Sequence, residues 1–176
     1  MSVTLDTVGP RSLRRRIEPL LTGAADAVQR HMRERMPDTL VRLAGAGDFG
    51  PAVVEATGGT PRLWRQLWQG EQMRSTAHIA TGMTLPTHDG RVLVLLHTEA
   101  MREDDQVMPT LVHEFAHAVQ MGRPAVANAA LARNRHHLGL GKQSRRWLAD
   151  HNASVARDED EAYRIENLLT PTLATA

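Results

Sequence analysis

The segment from Asp104 to Gly122 constrains the fold of this chain more than any other. Its apolar residues recur at steps of three and four, as on one face of an amphipathic helix: Met108, Leu111, Val112, Phe115, Ala116 and Val119. Acidic residues stand at its start, and Gly122 and Pro124 end it. A stripe this broad must be covered, so we expect the helix to pack behind a sheet.

The same helix carries His113-Glu114-Phe115-Ala116-His117. Residues four apart share a helical face, so both imidazoles can reach one metal ion. Glu114 then lies near the open coordination position, where it can take a proton from a bound water molecule. The alternative is two exposed histidines on a structural helix, which chance would seldom place in a well-delimited amphipathic helix behind a strand hairpin.

Cysteine is absent from the 176 residues. Its absence excludes disulfide frameworks, thiol nucleophiles, iron–sulfur clusters and zinc sites with cysteine ligands. Any metal must therefore be held by imidazole and carboxylate groups, and imidazole suits zinc at neutral pH. We expect one zinc ion per chain.

Basic and acidic residues nearly balance, at 21 and 20, which leaves a net charge of +1. No basic excess indicates a nucleic acid or an anionic membrane as a partner. No run approaches the roughly 18–20 apolar residues of a membrane span, and the residues after Arg16 are too polar for a signal peptide. We expect a cytoplasmic protein that binds neither nucleic acid nor membranes, while export by a signal-independent route stays open.

The length fits a single domain over residues 1–176. An amphipathic helix with an arginine-rich outer face is predicted over 11–35, within an N-terminal segment 1–35, and a last helix from about Ala156 to Leu169. The other predicted elements are strands at 38–43, 76–83 and 91–97, the last two in a hairpin, and helical pieces at 63–68 and 125–148. Together they indicate an α+β fold with a small twisted sheet.

Two stretches resemble gluzincin-type zinc metallopeptidases, the branch of the zincins that includes small effector-type enzymes. Residues 111–120 are similar to the active-site helix of zincins, and residues 161–167 are similar to the glutamate-bearing helix of gluzincins. The resemblance covers residues 91–169. It implies a compact zincin-like domain in which these residues form the catalytic core. One departure is Ile165, since gluzincins of the thermolysin type have a carboxylate four residues after their glutamate ligand.

The resemblance also implies a mechanism and a ligand set. Zinc would be held by His113, His117 and Glu161, and a zinc-activated water would attack a peptide bond with Glu114 as general base. Tyr163 is a candidate donor to the oxyanion that forms. The expected partner is a peptide or protein substrate.

Four adjacent acids compete for the position of third ligand, namely Asp158, Glu159, Asp160 and Glu161. Taking about 100° per residue, the buried face of this helix is defined by four apolar residues: Ala162, Ile165, Leu168 and Leu169. Glu161 lies within roughly 60° of the centre of that face, whereas Glu159 lies about 100° away. We therefore expect Glu161 to be the ligand, and Asp158 or Glu159 stays open in its place.

Two other functions also stay open. The site could serve a metalloenzyme that acts on a non-peptide substrate, because a fold does not fix the bond that is attacked. A non-catalytic, zinc-stabilised binding module could engage a partner through the helix at 11–35. A structural site closes its fourth position, however, and has no use for a base such as Glu114.

Three further histidines are weaker candidates. His136 and His137 are adjacent, so their side chains diverge on a helix, and we expect them at the surface. His151 is predicted in a loop, from which it could act as an electrophile or a rival ligand.

Overall fold

The computed structural model describes residues 2–45, 47–59 and 81–173. The strands are β1 (Val3–Leu5), β2 (Thr39–Ala44), β3 (Gly82–Pro86) and β4 (Val92–His97). The helices are α1 (Arg11–Met32), α2 (Phe49–Ala56), α3 (Asp104–Gln120), α4 (Pro124–His137) and α5 (Arg145–Leu173), with a short 3₁₀ helix at Ala100–Arg102. The predicted α+β class is confirmed.

The four strands form one mixed sheet in the order β1-β2-β4-β3. β1 and β4 both run parallel to β2, and β3 pairs antiparallel with β4 as the predicted hairpin. The hairpin differs in register from the prediction, since Leu85 and Pro86 belong to β3 and the turn follows them. Among the described strands, β4 lies inside the sheet and β3 lies at its edge.

The apolar run of β4 faces two separate clusters. Val92, Val94 and Leu96 join the main core, which lies between the sheet and helices α1, α3 and α5. Leu93 and Leu95 point to the opposite face, where they pack with residues of α2. Successive strand residues point to opposite faces, so a strand that is covered on both sides must be apolar throughout.

The N-terminal segment 1–35 holds a strand besides the helix that was predicted over 11–35. Residues Val3–Leu5 form β1, and α1 ends at Met32 because Arg33 adopts a left-handed conformation with φ 56°. A strand of three residues carries too little alternation to be detected against the helical pattern that follows it.

Helix α3 lies between the sheet and helix α5. Its residues Leu111, Val112, Phe115 and Val119 are fully buried, and its contact with α5 is the most extensive between two described elements. α5 begins well before the predicted Ala156, and Ser144 Oγ accepts a hydrogen bond from Trp147 N at its first turn. The helical pieces predicted over 125–148 are separate helices, and Gly139, with φ 70°, lies between them.

Some predictions fall outside the described residues. These are the helix at 63–68 and the strand residues 76–80. Within the described part of the chain, no helix is both long enough and apolar enough to cross a bilayer.

Candidate metal centre

Helix α3 presents His113 and His117 on one face, as their four-residue spacing requires. Their Nε2 atoms lie 3.1 Å apart, and their rings meet edge to face with centroids 4.8 Å apart. Both side chains are mostly buried, at 14% and 13% exposure. The two imidazoles therefore converge on one point.

Glu159 of α5 completes this centre. One carboxylate oxygen lies 3.5 Å from His113 Nε2 and the other lies 3.5 Å from His117 Nε2. Among the described residues, these three side chains form a group that could hold a metal ion, with one ligand atom from each lying within 4.8 Å of the others.

The three groups perturb one another's protonation. Hydrogen bonds with His113 and His117 outweigh burial and hold the pKa of Glu159 well below its usual range. Burial acts to lower the pKa of His117, but Glu159 overrides it and raises this pKa to about 9. Burial likewise acts to lower the pKa of His113, and the hydrogen bond with Glu159 raises it above its ordinary value. Glu159 therefore supplies negative charge at the point where the imidazoles meet.

The donor set and its geometry fit zinc. Tetrahedral zinc has ligand bonds of about 2.0–2.1 Å, which places neighbouring donor atoms about 3.3 Å apart. The separations of 3.1 and 3.5 Å between the donor atoms lie close to that value. Three protein ligands of this kind, two imidazoles and a carboxylate, are typical of catalytic zinc sites, which leave a fourth position open.

The outer nitrogen of each imidazole faces an oxygen acceptor. His113 Nδ1 lies 2.9 Å from Glu166 Oε2, and His117 Nδ1 lies 2.8 Å from Gln120 Oε1. An Nδ1–H that is donated in this way leaves the lone pair of Nε2 directed at the metal position. Gln120 and Glu166 were not among the predicted site residues, although their spacings gave a signal. Gln120 follows His117 by three residues, and Glu166 follows Glu159 by seven, so each pair shares a helical face.

Glu114 lies beside this centre and is only 5% exposed. Thr84 of β3 donates a hydrogen bond from Oγ1 to Glu114 Oε2 at 2.7 Å. Burial raises the pKa of Glu114 above its ordinary value, against the opposing effects of His117 and of the Thr84 hydroxyl. A carboxyl group whose pKa is raised in this way is suited to exchange a proton with a water molecule.

Glu161, the predicted third ligand, has other partners. Its carboxylate accepts hydrogen bonds from Gln120 Nε2 at 3.0 Å and from Arg123 Nη1 at 3.1 Å. The prediction counted Leu168 in the buried face of α5, but Leu168 is 56% exposed. Without Leu168, the buried face turns away from Glu161 and toward Glu159. The carboxylate that meets the imidazoles stands on the flank of this face rather than at its centre.

Tyr163 is brought to the same centre. Its ring meets the His113 ring with centroids 4.7 Å apart and an interplanar angle of 61°. Tyr163 is 55% exposed, one helical turn after Glu159, so its ring stands at the open side of the site.

The other candidate histidines lie elsewhere. His136 and His137 are at the end of α4, with ring centroids 5.6 Å apart. His151 lies within α5 rather than in the predicted loop, and its ring stacks on Trp147 with centroids 5.1 Å apart. In the described part of the chain, His136, His137 and His151 do not belong to the metal-binding group.

No protein-family model, curated protein or solved structure matches this chain. The resemblance to gluzincins therefore stays a prediction from residues 111–120 and 161–167. What the site can do follows from its donor atoms and their surroundings.

Proposed function

We propose that this protein is a zinc-dependent peptidase in which His113, His117 and Glu159 hold the metal and Glu114 is the general base. The observation that carries the proposal is the meeting of two Nε2 atoms and one carboxylate beside a second, buried carboxyl group. A purely structural zinc site needs four protein ligands and no adjacent base.

The chemistry divides between the metal and the chain. A bound zinc ion would supply Lewis acidity and lower the pKa of a water molecule. Glu114 accepts the proton of the attacking water and returns it to the leaving amine. Thr84 holds one oxygen of the Glu114 carboxylate, so the other is available for the proton. Glu166 and Gln120 keep the two imidazoles turned toward the metal position.

The edge of the sheet supports a peptide as the substrate. β3 is the outer strand beside β4 and carries Thr84, which contacts Glu114. An extended peptide can pair with an edge strand through main-chain hydrogen bonds. β4 has a neighbouring strand on each side, so residues 92–97 offer no free edge to a peptide. A peptide along β3 would bring a scissile carbonyl near Glu114, with Tyr163 on the side of α5.

The test is hydrolysis of a mixed peptide library by the zinc-loaded protein, with and without a chelator. Ester and small amide substrates run in parallel separate peptidase activity from non-peptide chemistry. Glu114→Gln should keep zinc and fold but abolish turnover, because an amide preserves the shape of the side chain and cannot accept the proton. Glu18→Gln, at an exposed position of α1, is the matched control and should cleave like wild type. A protein that binds no zinc, or a Glu114→Gln variant that retains wild-type turnover, would contradict the proposal.

A further inference from the structure

Gln120 is a buried amide at the end of α3 that makes three hydrogen bonds. Its side chain is completely inaccessible to solvent. Oε1 lies 2.8 Å from His117 Nδ1, and Nε2 donates to Asp158 O at 2.9 Å and to Glu161 Oε2 at 3.0 Å. The two amide hydrogens and the carbonyl oxygen of Gln120 thus all have partners.

These contacts fix the orientation of the amide. A backbone carbonyl and a carboxylate can only accept, so the NH₂ group must face Asp158 and Glu161. The Gln120 oxygen must then face His117, and the Nδ1 atom of His117 must be the donor. In that tautomer the Nε2 lone pair of His117 is free to bind a metal.

The Glu161 carboxylate is itself held in place from the other side. Arg123 Nη1 donates to Glu161 Oε2 at 3.1 Å, and Arg123 also forms a two-point ion pair with Glu34, at 2.7 and 2.9 Å. Bidentate pairs of this kind fix geometry as well as charge. The orientation of Gln120 is therefore set by a chain of contacts that runs from Glu34 to Glu161.

We infer that Gln120 is a positioning residue that selects Nε2 of His117 for the metal, and that Glu161 acts by orienting the Gln120 amide. The inference rests on the proposed function, since it concerns the same zinc site. It assigns Glu161 a role that is different from that of a ligand.

The first test is Gln120→Met, which keeps the length of the side chain and removes the acceptor. Zinc affinity, measured by competition with a chelator of known affinity, should fall about 10–100-fold, as is usual when the partner of a ligating histidine is lost. In spectra of the zinc-loaded protein with ¹⁵N-labelled histidine, the slowly exchanging Nδ1 proton of His117 should be lost. Gln106→Met removes an exposed side-chain amide from the first turns of the same helix. This control should change neither the affinity nor the resonance.

The second test exchanges the two side chains, with Gln120→Glu and Glu161→Gln in one protein. The carboxylate at position 120 then accepts from His117 Nδ1 and from the new amide at position 161. Gln120→Glu alone loses the same hydrogen bond to Asp158 O but faces the Glu161 carboxylate, so the exchanged pair should bind zinc at least about tenfold more tightly than that single variant. This double variant decides the matter if Gln120→Met does not fold. An exchanged pair that binds zinc no better than Gln120→Glu alone, or unchanged binding by Gln120→Met, overturns the inference while wild type still binds zinc. A wild-type protein without zinc affinity would instead overturn the proposed function.

Discussion

Gly82 of β3 lies directly against the side chain of Glu114. A Cβ atom at Gly82 would stand 2.7 Å from Glu114 Oε1, 2.8 Å from Cγ and 2.9 Å from Cδ. Thr84, two residues along the same strand, donates its hydrogen bond to the other carboxylate oxygen. The edge strand therefore packs closely against the carboxyl group. Only glycine at position 82 leaves room for it.

Gly82→Ala is expected to displace Glu114 and to lower kcat/KM for peptide hydrolysis by about 10²-fold or more, which is the contribution typical of a general base. Zinc affinity should change little, because the three heavy atoms nearest to the added methyl group all belong to Glu114. Gly23→Ala is the control, since no heavy atom of the described residues lies within 4 Å of a Cβ at that position. Wild-type activity in Gly82→Ala would show that the position of Glu114 does not govern the reaction.

The two glutamates of α5 should respond differently to substitution. Glu159→Ala is expected to weaken zinc binding by orders of magnitude, because it removes a ligand. Glu161→Ala should weaken it by no more than about tenfold, since Glu161 acts only through Gln120. Asp160→Ala, an exposed carboxylate on the same helix, should have no effect. Competitive zinc titration of the three variants gives the order, and a greater loss in Glu161→Ala than in Glu159→Ala would restore Glu161 as the ligand.

The part of the site that was predictable from the sequence depends on local geometry. The placement of His113, Glu114 and His117 follows from the periodicity of a single helix, and the structure places them on α3 as expected. The cover on both faces of β4 likewise follows from its uninterrupted apolar run.

The part that was not predictable depends on how two helices pack. Glu159 and Glu161 stand on opposite flanks of the buried face of α5, and the flank that meets α3 decides which of them reaches the imidazoles. Glu166 and Gln120 gain their roles only when α3 and α5 lie side by side. Sequence periodicity describes one helix at a time and does not specify which flank meets a neighbour.

Tyr163→Phe tests whether the hydroxyl group acts on the reaction. If Tyr163 donates a hydrogen bond to the oxyanion, the variant should lose about 10²-fold in kcat with little change in KM. Zinc affinity should be unchanged, because the ring that packs on His113 is retained. An unaltered kcat would indicate that Tyr163 only packs against the imidazole.

Acid should weaken the attachment of β1 to the sheet. Asp6 Oδ2 accepts a hydrogen bond from Arg42 Nε at 2.7 Å. Burial acts to raise the pKa of Asp6, but the hydrogen bonds from Arg42 and from the Val8 and Thr7 amides outweigh it, so this pKa lies below its ordinary value. The ionised carboxylate therefore stabilises the fold above its unfolded-state pKa of about 3.9, and that contribution is lost as the pH falls through the folded-state pKa.

Asp6→Asn is accordingly expected to lower Tm at pH 7 by about 2–4 °C, for a loss of about 1 kcal/mol. Having no carboxyl group to titrate at this position, the variant should lose less Tm than wild type between pH 6 and pH 3. Thermal unfolding followed by circular dichroism measures both effects, with Glu18→Gln as an exposed control. An acid-induced decrease in Tm equal to that of wild type would contradict the role given to Asp6.

Two glycines should respond to the same substitution with opposite signs. Gly23 lies inside α1, where no described heavy atom lies within 4 Å of an added Cβ, so Gly23→Ala should stabilise the protein by up to about 1 kcal/mol. Gly122 follows α3, and a Cβ there would stand 2.7 Å from Arg35 O and 2.9 Å from Val119 O. These backbone atoms cannot move away without displacing the chain, so Gly122→Ala should lower the free energy of unfolding by roughly 1–3 kcal/mol. Tm should therefore rise by about 2–4 °C in the first variant and fall by at least as much in the second. Equal Tm values in the two variants would show that α3 can shift at its end without loss of packing.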